Sequence, residues 1–223
     1  MIILLGVLKM NFPKYSKILN IFDRDPITGK LIEGQYSQKV FSHLKDMLWV
    51  GAEKVDGTNI RLCWNGDRVT IKGKREESSV PPFLMEYLTN RFCTPEVEEL
   101  FEKKFGVTPA VVFGEGYGKG IQGCGNKYDP EGNHFIAFDV CFPESGLYLS
   151  WSDMCDTVDD LGIDRVPVLI FDTLDRLVQL VKDKPLSALA RYDIAIEGLV
   201  ARPIDELRTN QGRVMCKIKT RDF

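Results

Sequence analysis

Short apolar runs rich in β-branched and aromatic side chains mark residues 47–54, 59–64 and 68–72 as strands. Asn65-Gly66-Asp67 between the last two is a hairpin signal. The pattern then changes period. Residues 81–92 carry Phe83, Leu84, Tyr87 and Leu88 at helical spacing, and residues 95–105 read the same way. Each run opens on a proline, whose missing N–H costs nothing in a first helical turn. Strands resume at 110–114, 135–141 and 147–150, and again at 166–171, 195–202 and 213–219. Ser152 and Thr173 are placed to cap helices running through Leu161 and Val181, and Leu174, Leu177, Leu180 and Val181 form a core stripe. Strands with interspersed helices and no regular βαβ alternation predict an α+β fold with mainly antiparallel sheets. No internal repeat, low-complexity tract or linker interrupts the pattern.

Composition narrows the class without naming the chemistry. With 223 residues, 44% of them hydrophobic, the chain can bury a full core, and a single domain over residues 1–223 is expected. The net charge of -3 argues against nonspecific coating of nucleic acid but leaves room for a local basic groove. Six scattered cysteines, no C-x-x-C pair and two histidines do not make a zinc framework; they fit free thiols in a reducing cytosol, so a cytoplasmic protein is expected. The apolar start at residues 1–8 is too short to span a bilayer and lacks a basic leader and cleavage site. It reads as an edge strand, or as an upstream extension with Met10 the functional start. No membrane association is expected, and no obligate protein partner is evident.

The most informative segment is Glu53-Lys54-Val55-Asp56-Gly57-Thr58-Asn59-Ile60-Arg61. A lysine is a nucleophile only once its ammonium loses a proton, and burial or neighbouring cations promote that loss. Glu53 and Asp56 favour the charged form, so something cationic must oppose them. Taken alone, K-x-D-G reads equally as a surface hairpin with a solvated Glu–Lys pair. Four other segments place charge beside apolar strand residues. Phe113-Gly114-Glu115-Gly116-Tyr117-Gly118 ends a strand in a glycine-flanked carboxylate, either a ligand approach or a solvated turn. Phe135-Ile136-Ala137-Phe138-Asp139-Val140 reads as a buried strand in which only Asp139 is out of place. Ile196-Glu197-Gly198 puts a carboxylate in a strand, and Lys217-Ile218-Lys219 projects two ammonium groups to one strand face.

In this order the segments resemble the covalent nucleotidyltransferase superfamily of polynucleotide ligases and messenger-RNA capping enzymes. The similarity runs from Phe12 to Phe223 and is closest to ATP-dependent RNA ligases of the phage and bacterial kind, with Gly73-Lys74-Arg75 and the terminal Thr220-Arg221-Asp222-Phe223 adding to it. The resemblance implies two mainly antiparallel sheets flanked by helices with an ATP cleft between them, a nucleotidyltransferase, ATP-grasp-like ligase catalytic domain. It implies a lysyl-adenylate on Lys54, transfer of AMP to an RNA 5′-phosphate, and sealing by a 3′-hydroxyl. Lys217 and Lys219 match the lysines that hold the α-phosphate, and their charge is the cationic influence Lys54 requires. Glu197 matches the carboxylate that helps hold Mg2+ or Mn2+. Glu115 matches the acceptor of ribose hydroxyls, and Phe138 the aromatic that stacks on adenine, with Asp139 alongside to orient it. Arg75 and Asn59 match nucleotide-phosphate contacts, and Arg75 and Arg61 RNA-end contacts. Glu53 matches adenine recognition, with an ion pair to a neighbouring cation as the alternative.

The sequence stops soon after Lys219, without the OB-type domain that DNA ligases and capping enzymes carry there. It therefore reads as a minimal catalytic domain or a truncation, with weak, salt-sensitive RNA grip expected. Lys14, Arg24 and Lys30 are the candidates for contact with the leaving pyrophosphate. A DNA ligase, an RNA-capping guanylyltransferase and a catalytically silent RNA-end-binding module are the competing readings.

Overall fold

The computed structural model describes residues 11–75, 78–210 and 212–223; the expected edge strand at 1–8 and Met10 lie outside the described residues. In chain order the strands are β1 (Leu19–Asn20), β2 (Phe22–Arg24), β3 (Leu31–Tyr36), β4 (Trp49–Glu53), β5 (Thr58–Trp64), β6 (Val69–Gly73) and β7 (Ala110–Gly118). They continue as β8 (Asn133–Phe142), β9 (Leu147–Tyr148), β10 (Val168–Asp172), β11 (Gly198–Pro203), β12 (Arg208–Thr209), β13 (Gly212–Arg213) and β14 (Cys216–Lys219). The helices are α1 (Lys39–Leu44), α2 (Pro82–Phe92), α3 (Pro95–Phe105), α4 (Gly125–Tyr128), α5 (Trp151–Asp160) and α6 (Leu174–Lys182).

Two five-stranded sheets dominate, in the orders β1-β14-β11-β4-β10 and β6-β5-β7-β8-β9. All their pairings are antiparallel except β1 with β14. Side-chain alternation sorts each strand into two faces. On β5, Ile60, Leu62 and Trp64 pack against α2 and α3 through Leu84, Leu88 and Phe101. On β11 and β14, Leu199, Ala201, Cys216 and Ile218 pack against α6 through Leu177 and Val181. The outer face of each sheet is thus closed by helices. The other faces, carrying Asn59 and Glu115 on one sheet and Lys54, Val200 and Lys217 on the other, line a common cavity.

Glycine is required at two close backbone approaches. Gly198 has φ +153°, and a Cβ there would lie 2.0 Å from the Ile218 carbonyl oxygen. A Cβ on Gly57 would lie 2.6 Å from the Gly116 carbonyl oxygen, so the turn after Lys54 seats directly on β7.

The expected elements form, with corrections at their ends. The cap of α5 is Ser150, whose hydroxyl accepts from the Asp153 N–H at 3.2 Å, whereas Ser152 lies inside the helix. Thr173 precedes α6 but makes no side-chain cap bond. The run 213–219 is two short strands, β13 and β14, and Glu197 stands just ahead of β11 instead of inside it. The elements β1, β2, β3 and α1 were not expected; β1 and β2 are too short to show a period. Among the described residues no helix is long and apolar enough to cross a membrane.

Candidate active site

The cavity between the sheets has a volume of about 450 Å³. Lys54 enters it from the end of β4, where its backbone N–H donates to the Gly198 carbonyl at 2.9 Å. This bond binds the nucleophile candidate to the segment that carries Glu197. The Lys54 ammonium bonds Glu197 Oε2, and Lys219 Nζ reaches Glu197 Oε1 at 2.8 Å. One carboxylate therefore bridges two lysines. Burial alone would raise the Glu197 pKa, but Lys54 and Lys219 together outweigh it and hold the group below its ordinary value. Lys217 is the converse case: burial, then Lys219, Lys54 and Lys17, depress its pKa. The cationic environment expected around Lys54 is present.

The facing wall is built differently. Asn59 and Glu115 are register partners on β5 and β7. Glu115 Oε2 and Asn59 Oδ1 are buried with no partner among the described residues. Burial, only partly opposed by Lys54, pushes the Glu115 pKa up to about 8. Two acceptors that lack donors, on residues lining a cavity, fit a polyhydroxylated ligand such as a ribose.

Phe138 stands farther along the same wall. The β7–β8 register shifts between Phe113 and Gly114, so that Phe113 pairs with Asp139 and Gly114 with Ala137. Phe138 is the extra residue of a β-bulge. Ala137 and Val140 belong to the helix-side core, whereas Phe138 lines the cavity and Asp139 bonds Tyr15 and Arg213 on that side. A bulge re-aims side chains in this way. Val200 of β11 lines the cavity from the opposite sheet. An aromatic ring and a β-branched side chain on opposing walls make a slot for a flat base.

Lys74 and Arg75 line the cavity from the end of β6, and Lys14 and Lys17 from the N-terminal segment. Asp56 lies within electrostatic reach of Glu197, Lys54, Lys219 and Arg221, and burial followed by Glu197 raises its pKa. Among the described residues no group of three or more His, Cys, Asp or Glu side chains is placed to hold a metal. Glu197 offers a single carboxylate, which suits magnesium or manganese bound mainly through water and ligand phosphates.

Three expectations change. Arg61 is buried, and its guanidinium donates to the carbonyls of Gly73 at 2.8 Å, Phe12 at 2.8 Å and Pro13 at 3.2 Å. It braces the N-terminal segment against the hairpin and is not presented to an RNA end. Glu53 lines the cavity, but its oxygens accept from the Ser187 hydroxyl and from the Ala188 N–H at 3.0 Å, so it is not ion-paired to a cavity lysine. Arg24 is paired with Asp222 at 2.5 Å, and neither it nor Lys30 lines the cavity, whereas Lys14 does. Tyr15, Val200 and Arg202 were missed. Period-two alternation from the Glu197–Arg202 run points Val200 and Arg202 inward, but nothing local marks Tyr15.

The family model for RNA ligase matches residues 47–219. No curated protein sequence matches the chain. Solved structures of an RNA ligase from Naegleria gruberi share the fold. An apo variant superposes with TM-score 0.65 at 17% identity over 93% of this chain and 57% of that one. A variant with ATP and Mn gives 0.64 at 17% identity over 92% and 57%, and the complex with PPi gives 0.62 at 20% identity over 81% and 51%. The chain thus spans a little over half the length of these structures.

Proposed function

The chain belongs to the RNA ligase family, and we propose that it is an ATP-dependent RNA ligase that seals 3′-hydroxyl and 5′-phosphate RNA ends through a lysyl-adenylate, all within this one nucleotidyltransferase domain. The observation that carries the reading is the convergence of Lys54, Lys217, Glu115 and Phe138 on one cavity. Phe138 and Val200 would hold the adenine between them, and Glu115 and Asn59 would accept from the ribose hydroxyls. The α-phosphate would then lie near Lys54, Lys217 and Lys219.

Lys54 Nζ, once deprotonated, would attack the α-phosphorus; a P–N bond forms, the bond to the bridging oxygen breaks, and pyrophosphate leaves. An RNA 5′-phosphate oxygen then displaces Lys54, and a 3′-hydroxyl displaces AMP. Each step is a displacement at an anionic phosphorus, where positioning and charge neutralisation supply most of the acceleration. Lys54 bonds Glu197, so attack requires Lys54 to leave Glu197, while Lys219 keeps Oε1 occupied. Glu197 would hold magnesium or manganese, which when bound would supply further charge neutralisation at the phosphate oxygens. Lys74 and Arg75, exposed at the cavity rim, suit the incoming RNA phosphate.

The test is incubation with α-labelled ATP and magnesium followed by a denaturing gel. Wild type becomes labelled and Lys54→Ala does not, and the label is released on adding 5′-phosphorylated RNA. Label on Lys54→Ala would refute the covalent mechanism. Labelling by GTP or NAD in place of ATP would reassign the donor, and discharge onto 5′-phosphorylated DNA alone would reassign the acceptor.

A further inference from the structure

Residues 12–18 have no regular secondary structure, yet they are anchored at both ends to different sheets. At one end Phe12 is buried beside Cys63, Val111 and Phe113, and its carbonyl is held by Arg61. At the other, Leu19 and Asn20 run parallel to Cys216 and Lys217, and the Ile21 N–H donates to the Lys217 carbonyl at 3.1 Å. The segment is a strap across the side of the cleft. Its central residue, Tyr15, turns inward. The Tyr15 ring lies edge-on to Phe138 at 4.9 Å between centroids and 72° between planes, and meets Phe113 at 5.0 Å. Its hydroxyl donates to Asp139 Oδ2 at 2.7 Å.

These two contacts fall on consecutive residues of the bulge. Asp139 is fully buried and also takes Arg213. The Phe138 carbonyl accepts from Arg202 at 3.3 Å. Arg213 of β13 holds the Asp139 carboxylate and Arg202 of β11 holds the Phe138 carbonyl, while the Phe138 ring itself is backed by Tyr15. Beyond Tyr15 lies a second cavity of about 290 Å³, and Tyr15 lines both spaces. Shortening this side chain would remove the ring that meets Phe138 and part of the lining that both spaces share with Ser16, Lys17 and Ile18.

We propose that Tyr15 is a positioning residue for the nucleobase: bonded to Asp139 and packed on Phe138, it fixes the aromatic wall of the adenine slot and closes that slot from the neighbouring cavity. This rests on the adenylation reading above. A bulged strand and a flat ring cannot by themselves hold the ring angle, and an edge-on aromatic contact has a preferred geometry that can. The strap thus contributes to base binding from outside the span matched by the family model.

The experiment is single-turnover labelling with α-labelled ATP for wild type, Tyr15→Phe and Tyr15→Ala, with circular dichroism to establish folding. Inorganic tripolyphosphate is titrated as a competitor that lacks the base. Tyr15→Ala is expected to raise the half-saturating ATP concentration about tenfold with the maximal rate changed less than about threefold, because ground-state base binding is what it loses. Tyr15→Phe, which keeps the ring contact, restores most of the affinity. Tripolyphosphate competes equally well against all three. Unchanged ATP saturation in folded Tyr15→Ala overturns the proposal, as does equal weakening toward ATP and tripolyphosphate, which would make Tyr15 a purely structural residue. Should Tyr15→Ala not fold, Tyr15→Leu stands in with the same expectations. Failure of wild type to label at all refutes the adenylation reading instead.

Discussion

Glu197 and Glu115 are the same residue type on opposite walls of one cleft, and their environments drive them in opposite directions. Glu197 bridges Lys54 and Lys219, and its pKa is held low. Glu115 is buried with an unpartnered oxygen, and its pKa rises to about 8. On the proposed phosphate wall Glu197 is already paired with two lysines, so Lys54 would have to exchange that contact for the proposed chemistry to occur. The proposed ribose wall keeps buried acceptors without partners, which a ligand's hydroxyls would complete. Under the proposed function, reactivity and recognition would thereby fall to different walls.

Breaking the phosphate wall should have the largest effect. Glu197→Gln removes the carboxylate charge that pairs with both Lys54 and Lys219, and adenylate formation should fall by about 10²–10³-fold, read by single-turnover labelling. A loss below tenfold would mean that Glu197 only positions the lysines. Glu115→Gln should act on stability as well as on ATP affinity. A carboxyl whose folded pKa lies above its unfolded value retains its proton in the folded state between about 4.5 and 8, so folding stability falls as pH rises through that window. Removing that penalty should make Glu115→Gln more stable than wild type at pH 8, by an amount on the order of a few kcal/mol. The gap should close towards pH 4.5, as measured by thermal melts across pH. The sign is opposite for Glu197, whose depressed pKa contributes stability above the unfolded value that is lost as pH falls through the folded one. The smallest effect is expected at the loop that follows α6 and holds Glu53. Ser187→Ala removes one of two donors to the buried Glu53 carboxylate and should cost about 1–2 kcal/mol in urea unfolding, with ATP labelling altered only modestly. An unchanged unfolding midpoint would show that Ala188 alone suffices.

Elements whose side chains repeat with a clear period were legible in the sequence. The helices α2 and α3 start within a residue of expectation, and β5 and β6 form around the expected turn, where Asn65 Oδ1 accepts from Asp67 and Arg68. The cap of α5 was misplaced because Ser150 and Ser152 carry the same chemistry and only backbone geometry distinguishes them. Arg61 shows the limit for site residues. Alternation puts it on the cleft face with Asn59, but the strap's carbonyls reach it from 49 positions away and bury it. Tyr15 was invisible for the same reason, since its significance lies in Asp139, 124 positions distant.

By itself the sequence determined the α+β class, the strand and helix periods, and the order of charged segments that marks Lys54, Glu115, Glu197, Lys217 and Lys219 as candidates. The class and the periods follow from local stereochemistry, because a side chain's face on a strand depends only on the parity of its position; the candidates follow from the family resemblance that the order of the segments carries. The tertiary structure alone decided which carboxylate is paired and which is orphaned, that a bulge turns Phe138 into the cavity, and that a strap near the N-terminus brings Tyr15 against it. Those outcomes depend on burial and on partners distant in sequence, and electrostatic and packing energies are set by proximity in space, which no local pattern encodes.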